Sequence, residues 1–154
     1  MRQLIILLVI AFVSCQSPSS FGKEEKRAVK DTVFAVLSRY YEDINRNGLI
    51  AEFKYLDSSA DFHWRPPGST EPILYDSVAK FIRAAAPFYK YIDIKWSKLD
   101  IDPISPDTAA YEGELVSAIT DTAGRITNTI LVEKGRVIKR KDGWKLLDGE
   151  TKVR

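Results

Sequence analysis

The chain has 154 residues, 45% of them hydrophobic, with 23 basic against 21 acidic side chains and a formal net charge of +2. That near-balance leaves no electrostatic footprint for a nucleic acid, and no nucleic-acid partner is expected. A single histidine and a single cysteine exclude a disulfide within the chain and a metal site built from His and Cys.

The chain opens on Met1-Arg2 and continues as an unbroken apolar run from Leu4 to Val13. Such a run is too short to cross a bilayer as a helix, but its length and charged start suit a secretory signal. It ends in Phe12-Val13-Ser14-Cys15, which resembles a bacterial lipobox, with Phe12 where that motif usually has Leu. The resemblance implies a signal peptide over 1–14 and cleavage before Cys15. It further implies lipid on Cys15, membrane attachment through that lipid, and an exported envelope location facing the periplasm or the cell surface. A lipidated Cys15 leaves no thiol for other chemistry. Gln16 to Gly22 reads QSPSSFG, so 15–22 forms a polar tether that cannot bury enough apolar surface to order itself. The remainder, 23–152, is the length of one ordinary domain.

Lys23 to Asn45 predicts a long amphipathic helix, because Val29, Val33, Leu37, Tyr40, Tyr41 and Ile44 recur at steps of three and four. Asn47-Gly48 ends it. Leu49 to Leu56 predicts a second, shorter helix, broken by Asp57-Ser58-Ser59. Ala60 to Arg65 alternates and reads as a strand, stopped by Pro66-Pro67-Gly68. Tyr75 to Ala86 predicts a third helix with Val78, Phe81, Ile82 and Ala85 inward, closed by Pro87. From Phe88 the period becomes two, and Tyr89–Ile101, Thr108–Thr120, Arg125–Arg140 and Trp144–Lys152 read as strands. Their connections are short, and Lys141-Asp142-Gly143 carries the Asp-Gly hairpin signal. The fold class is therefore α+β: a cone-shaped, curved antiparallel sheet packed on three helices from the N-terminal half, enclosing a hollow suited to a ligand.

This order of elements, with Ala60-Asp61-Phe62-His63-Trp64-Arg65-Pro66-Pro67-Gly68 and Lys141-Asp142-Gly143-Trp144-Lys145-Leu146, resembles the nuclear transport factor 2-like superfamily, in its SnoaL-like and ketosteroid isomerase-like branch. Carried onto this chain, the isomerase pattern puts Tyr41 at the oxyanion-donor position. It puts Arg65 at the general-base position and Val116 at the second-acid position. A guanidinium that never deprotonates cannot serve as a base, so isomerase chemistry is not expected on this scaffold.

In the first strand, hydrophobic alternation turns Phe62 and Trp64 inward, whereas the resemblance turns Asp61, His63 and Arg65 to the cavity. Following the resemblance, Tyr41, His63 and Arg65 form a polar cavity end suited to an anionic group. His63, with Asp61 or Tyr41, is then the candidate acid/base set. Trp64, Trp96 and Tyr111 join Tyr41, His63 and Arg65 as candidate ligand-binding residues, while Trp144 is read as core. Glu112 and Glu114 share a strand face with Val116 and Ala118, read as the solvated face. Were they turned inward, desolvation would make them acid/base candidates. The basic stretch Lys134, Arg136, Lys139, Arg140 and Lys141 reads as a solvated hairpin. No phosphate loop or nucleophile elbow occurs, no metal is expected, and nothing in the sequence calls for a cofactor.

The functional expectation is an envelope-anchored binding domain for a small molecule or a partner, without catalysis. The alternative is a small-molecule isomerase, dehydratase or hydrolase using His63, Asp61 or Tyr41. A homodimer through the sheet face is a third role.

Overall fold

The computed structural model describes residues 21–154. The signal, Cys15 and most of the tether lie outside the described residues. Helix α1 runs Lys23–Asn47. Its first turn is closed by Glu25, whose Oε2 accepts a hydrogen bond from the Gly22 amide at 2.9 Å. Its last turn ends at Gly48, whose φ of 77° suits glycine and whose amide bonds back to the Ile44 carbonyl. The inward stripe is the one the spacing predicts: Val33, Leu37, Tyr40, Tyr41 and Ile44 are all buried.

The predicted second helix is instead a 3-10 helix over Leu49–Lys54. After it the chain pairs with the sheet through Leu56 and Leu146. Asp57 is buried there and bonded by Arg140 and Ser59. Strand β1 is only His63–Arg65, and a two-residue strand β2, Ile73–Leu74, precedes helix α2, Tyr75–Ala85. Four long strands follow: β3 Tyr89–Ser105, β4 Thr108–Asp121, β5 Ile126–Arg140 and β6 Gly143–Val153. The sheet order is β2-β1-β6-β5-β4-β3. The four long strands are an antiparallel meander as expected, but β1 joins β6 in parallel.

One irregularity decides which face the end of the chain presents. Trp144, Leu146, Asp148 and Glu150 are two apart, and an unbroken strand would put all four on one face. The register shifts between Arg136 and Val137, so Asp148 pairs Arg136 while Leu146 pairs Val137. Leu147 is the extra residue of a bulge. Trp144 and Leu146 thereby join the core, and Asp148 and Glu150 turn outward to Arg136 and Lys134.

The sheet also bends where glycines allow it. The Trp96 ring lies on Gly113 of β4, and the Trp64 ring lies on Gly149 of β6. Between them Gly135 of β5 pairs with Gly149.

Strand β3 forms the far edge, where α1 lies against it. The Asn45 side chain bonds both the amide and the carbonyl of Ile94, each at 2.8 Å, as a neighbouring strand would. Asn45→Ala leaves both groups without these partners. It is expected to cost about 1–3 kcal/mol, read as a lower urea midpoint at unchanged slope.

Candidate functional site

Helices and sheet enclose a cavity of about 310 Å³. Its walls follow from the periodicities above. Helix α1 contributes Tyr40, Tyr41 and Ile44, and α2 contributes Val78, Phe81 and Ile82. The sheet supplies Ile94, Ile119, Leu131 and Leu146, Phe62 stands just before β1, and β1 supplies Trp64. These surfaces are apolar or aromatic, as small-molecule sites mostly are.

Two carboxyl groups interrupt them. Glu133, 4% exposed, projects from β5 into the sheet's inner face. Tyr41 donates to its Oε2 at 2.7 Å, Tyr111 donates to its Oε1 at 2.9 Å, and Thr151 lies 3.3 Å from Oε2. The Trp64 indole in turn donates to the Thr151 hydroxyl at 3.2 Å. Burial pushes the Glu133 carboxyl up, and the three hydroxyls pull it back toward ionisation. The same burial, and the carboxylate beside them, raise the Tyr41 and Tyr111 phenols well above their ordinary value.

Glu52 comes from the 3-10 helix. Burial raises its carboxyl to about 7, the nearby Tyr40 hydroxyl opposes that rise, and the Glu133 charge adds to it. No Lys, Arg or His lines this cavity, and among the described residues neither Glu52 nor Glu133 has a cationic partner within ion-pair distance.

The expected constellation is not assembled. Tyr41 is at the cavity, but His63 and Arg65 face the opposite side of the sheet. They are exposed there, and Arg65 is paired to Glu150 at 2.8 Å. His63 Nδ1 meets only the Asp61 carbonyl, at 3.1 Å, and Asp61 sits in an exposed turn. Strand alternation forces this: Phe62 is 1% exposed and holds the inward position beside Trp64. The apolar pattern, not the family alignment, gives the orientation, and the cavity end is acidic rather than cationic.

Trp64 lines the cavity. Trp96 and Tyr111 stand one layer behind it. Trp96 packs edge-on to Tyr41 and Tyr111, at 5.4 and 6.1 Å between ring centroids, and its indole bonds the Leu37 carbonyl. It props the two phenols that hold Glu133. Val116 is exposed, and Glu112 and Glu114 lie on its side of β4.

A second, wide-open concavity of about 680 Å³ lies across that outer face, with His63, Arg65, Glu112, Lys134, Arg136 and Glu150 among its lining. Its charges largely satisfy one another. Lys134 and Lys152 reach Glu150 at 3.1 and 2.9 Å, and together with Arg65 they hold its carboxyl down at about 2. The basic stretch of β5 is spent in the same way. Arg136 pairs with Asp148, Arg140 with Asp57, and Lys139 with Asp107 at 4.0 Å.

Among the described residues no three His, Cys, Asp or Glu side chains are grouped to hold a metal ion, and no helix is long and apolar enough to cross a membrane.

No protein-family model matches the chain, and no curated protein matches it. Solved structures do. A scytalone dehydratase-type protein from Novosphingobium aromaticivorans superposes with a TM-score of 0.72 at 15% identity, over 86% of this chain and 89% of its own. A nuclear transport factor 2-like superfamily protein from Salmonella enterica serovar Typhimurium gives 0.68 at 15% identity, over 81% and 90%. A dehydratase-type protein of the same superfamily from Streptomyces avermitilis gives 0.67 at 16% identity, over 83% and 97%. Identities this low speak to architecture, not activity. The curved six-stranded sheet, the helices of the N-terminal half and these superpositions agree: the chain has the nuclear transport factor 2-like fold.

Proposed function

We propose that this chain is an exported, lipid-anchored binding domain that takes a small, largely apolar organic molecule into the cavity between its helices and its sheet. The observation that carries the binding half is the cavity itself. About 310 Å³ is walled by aromatic and aliphatic side chains, with a few polar groups converging from Tyr40, Glu52, Glu133 and Thr151. The anchoring half rests on the signal-like start and Cys15.

Naphthalene and its hydroxylated derivatives, titrated into the full chain in non-ionic detergent, are expected to change Trp64 emission saturably. Val78→Trp, which fills the cavity from α2, is expected to remove the response. A folded chain with no saturable response to any of these would overturn the binding role. Cys15→Ser is expected to move the protein from the membrane fraction to the soluble envelope fraction. Continued membrane attachment of that variant would overturn the anchor.

Glu52 favours a second reading, proton transfer to or from a bound molecule. A carboxyl held near 7 inside an apolar cavity exchanges protons at neutral pH without a large driving force. A generic probe is 5-nitrobenzisoxazole, whose ring opens when a desolvated base removes its carbon-bound proton. Turnover rising through about pH 7 and lost in Glu52→Gln would support proton transfer. A rate identical in the two proteins would remove it.

A further inference from the structure

We infer that the molecule this cavity is built to hold is an organic cation: a protonated or quaternary amine on an apolar body, seated with its charge between Glu52 and Glu133. This rests on the binding role proposed above and adds the chemical class of the ligand.

Three observations converge. First, the cavity carries two carboxyl groups and no basic side chain. Buried carboxylates ordinarily meet a guanidinium, an ammonium or a metal, because an unpaired buried charge costs several kcal/mol. The buried carboxyls outside this cavity are matched: Asp57 by Arg140, Asp148 by Arg136, Glu150 by Arg65 and two lysines. Glu133 is the buried exception, and the half-buried Glu52 borders the same apolar hollow, also without a cationic partner among the described residues.

Second, much of the wall is aromatic. Tyr40, Tyr41, Phe62, Trp64, Phe81 and Tyr89 all border the space. Ring faces attract a desolvated cation through their quadrupole, and aromatic walls with acidic ends are how quaternary ammonium groups are recognised.

Third, Glu133 is fixed rather than free. Two phenols and a threonine hydroxyl hold it, and Trp96 props the phenols from behind. Each of those hydroxyls stabilises the ionised carboxylate, the form a cation would seek. A neutral ligand would gain nothing from that charge, and an anion would be repelled by both groups.

The groups facing Glu52 decide how binding varies with pH. Tyr40 and Tyr41 of α1, Tyr89 of β3 and Glu133 of β5 border the same space, and none is a cation. Arg83 of α2 is turned onto the Phe53 ring, 4.8 Å from its centroid. Glu52 is therefore the group that ionises near neutrality, and affinity for a cation rises as it does.

The test is isothermal titration of the full chain in non-ionic detergent with three probes of similar size. Benzyltrimethylammonium is a permanent cation, neopentylbenzene replaces its nitrogen with carbon, and phenylacetate is an anion. At about pH 8 the cation is expected to bind at least about tenfold more tightly than the neutral isostere, with no binding of the anion. The preference is expected to shrink toward about pH 5 and to lose its pH dependence in Glu52→Gln, with the melting temperature reporting that the variant is folded. Equal or tighter binding of neopentylbenzene overturns the inference and leaves the binding role standing. A cation affinity indifferent to pH and to Glu52→Gln places the cation outside this cavity and also overturns it. If neither the cation nor its isostere binds, the inference falls, and failure of the naphthalene titration as well removes the binding role.

Discussion

Glu52→Gln is expected to make the empty domain more stable, by about 2 kcal/mol at about pH 8. The folded protein holds the Glu52 carboxyl at about 7 against an ordinary value of 4.5, chiefly because burial disfavours its charge. A carboxyl whose pKa is raised by folding binds its proton more tightly in the native state than in the unfolded chain. Stability is therefore highest below 4.5 with respect to this group, falls as pH rises through the interval, and reaches its floor above about 7. An interval of about 2.5 pH units at about 1.4 kcal/mol each gives a ceiling of about 3.5 kcal/mol, and solvent at the cavity mouth lowers it. Glutamine keeps an acceptor for Tyr40 and never ionises. Urea midpoints of the two proteins should converge near pH 4.5 and diverge toward pH 8. Parallel curves would mean that Glu52 is as solvated when folded as when unfolded.

Gly149→Ala is expected to act in the opposite direction, with a loss of about 3 kcal/mol or more. A Cβ at this position would sit 2.5 Å from the Lys134 carbonyl and 2.6 Å from the Trp64 ring. The ring is the tip of a side chain, but the carbonyl belongs to the neighbouring strand, and the sheet cannot yield without breaking the β5–β6 pairing. Val153→Ala, also on β6 but exposed, provides a strand-matched control with little effect. The urea midpoint reads the loss. Trp64 emission reads its local cause, since displacing the indole also breaks its bond to Thr151. A variant as stable as the parent would show that the sheet relaxes there freely, and the account of its bend would fail.

The elements were legible where one face is apolar and the other is not. Helix α1 and the four long strands satisfy that condition, and their positions follow from spacing alone. The first strand satisfied it too: Phe62 and Trp64 mark the inward face, and placing His63 and Arg65 inward meant setting a physical period aside for an alignment. The parallel pairing of β1 with β6 left no local trace, because register between distant strands is a tertiary property.

Both cavity carboxyls were invisible for related reasons. On β5 the alternating sets are Thr129, Leu131, Glu133, Gly135, Val137 and Ile130, Val132, Lys134, Arg136, Ile138. Each mixes apolar with polar residues, so neither announces itself as the inner one. Glu52 sits in a segment read as an α-helix, where Leu49, Ile50, Phe53 and Leu56 would share the inner side. The 3-10 winding turns Glu52 inward and leaves Ile50 49% exposed. The bulge at Leu147 also had no local signal, although four residues two apart that are half aromatic or aliphatic and half acidic are a hint that a strand changes face.

The hydrogen bonds of Asn45 to Ile94 bear on how copies of this chain behave when crowded. Strand β3 is long and ends the sheet, the kind of edge on which a stray strand from another molecule can add. Asn45 occupies one rung of that edge from within. Register shifts between Tyr89 and Tyr91, Trp96 and Lys98, and Pro103 and Ser105 break the remaining rungs into short runs. Lys90, Lys95 and Lys98 add charge along the same strand. The rim is thus a barrier to self-templated growth, and at high concentration it keeps neighbours from zipping into fibrils.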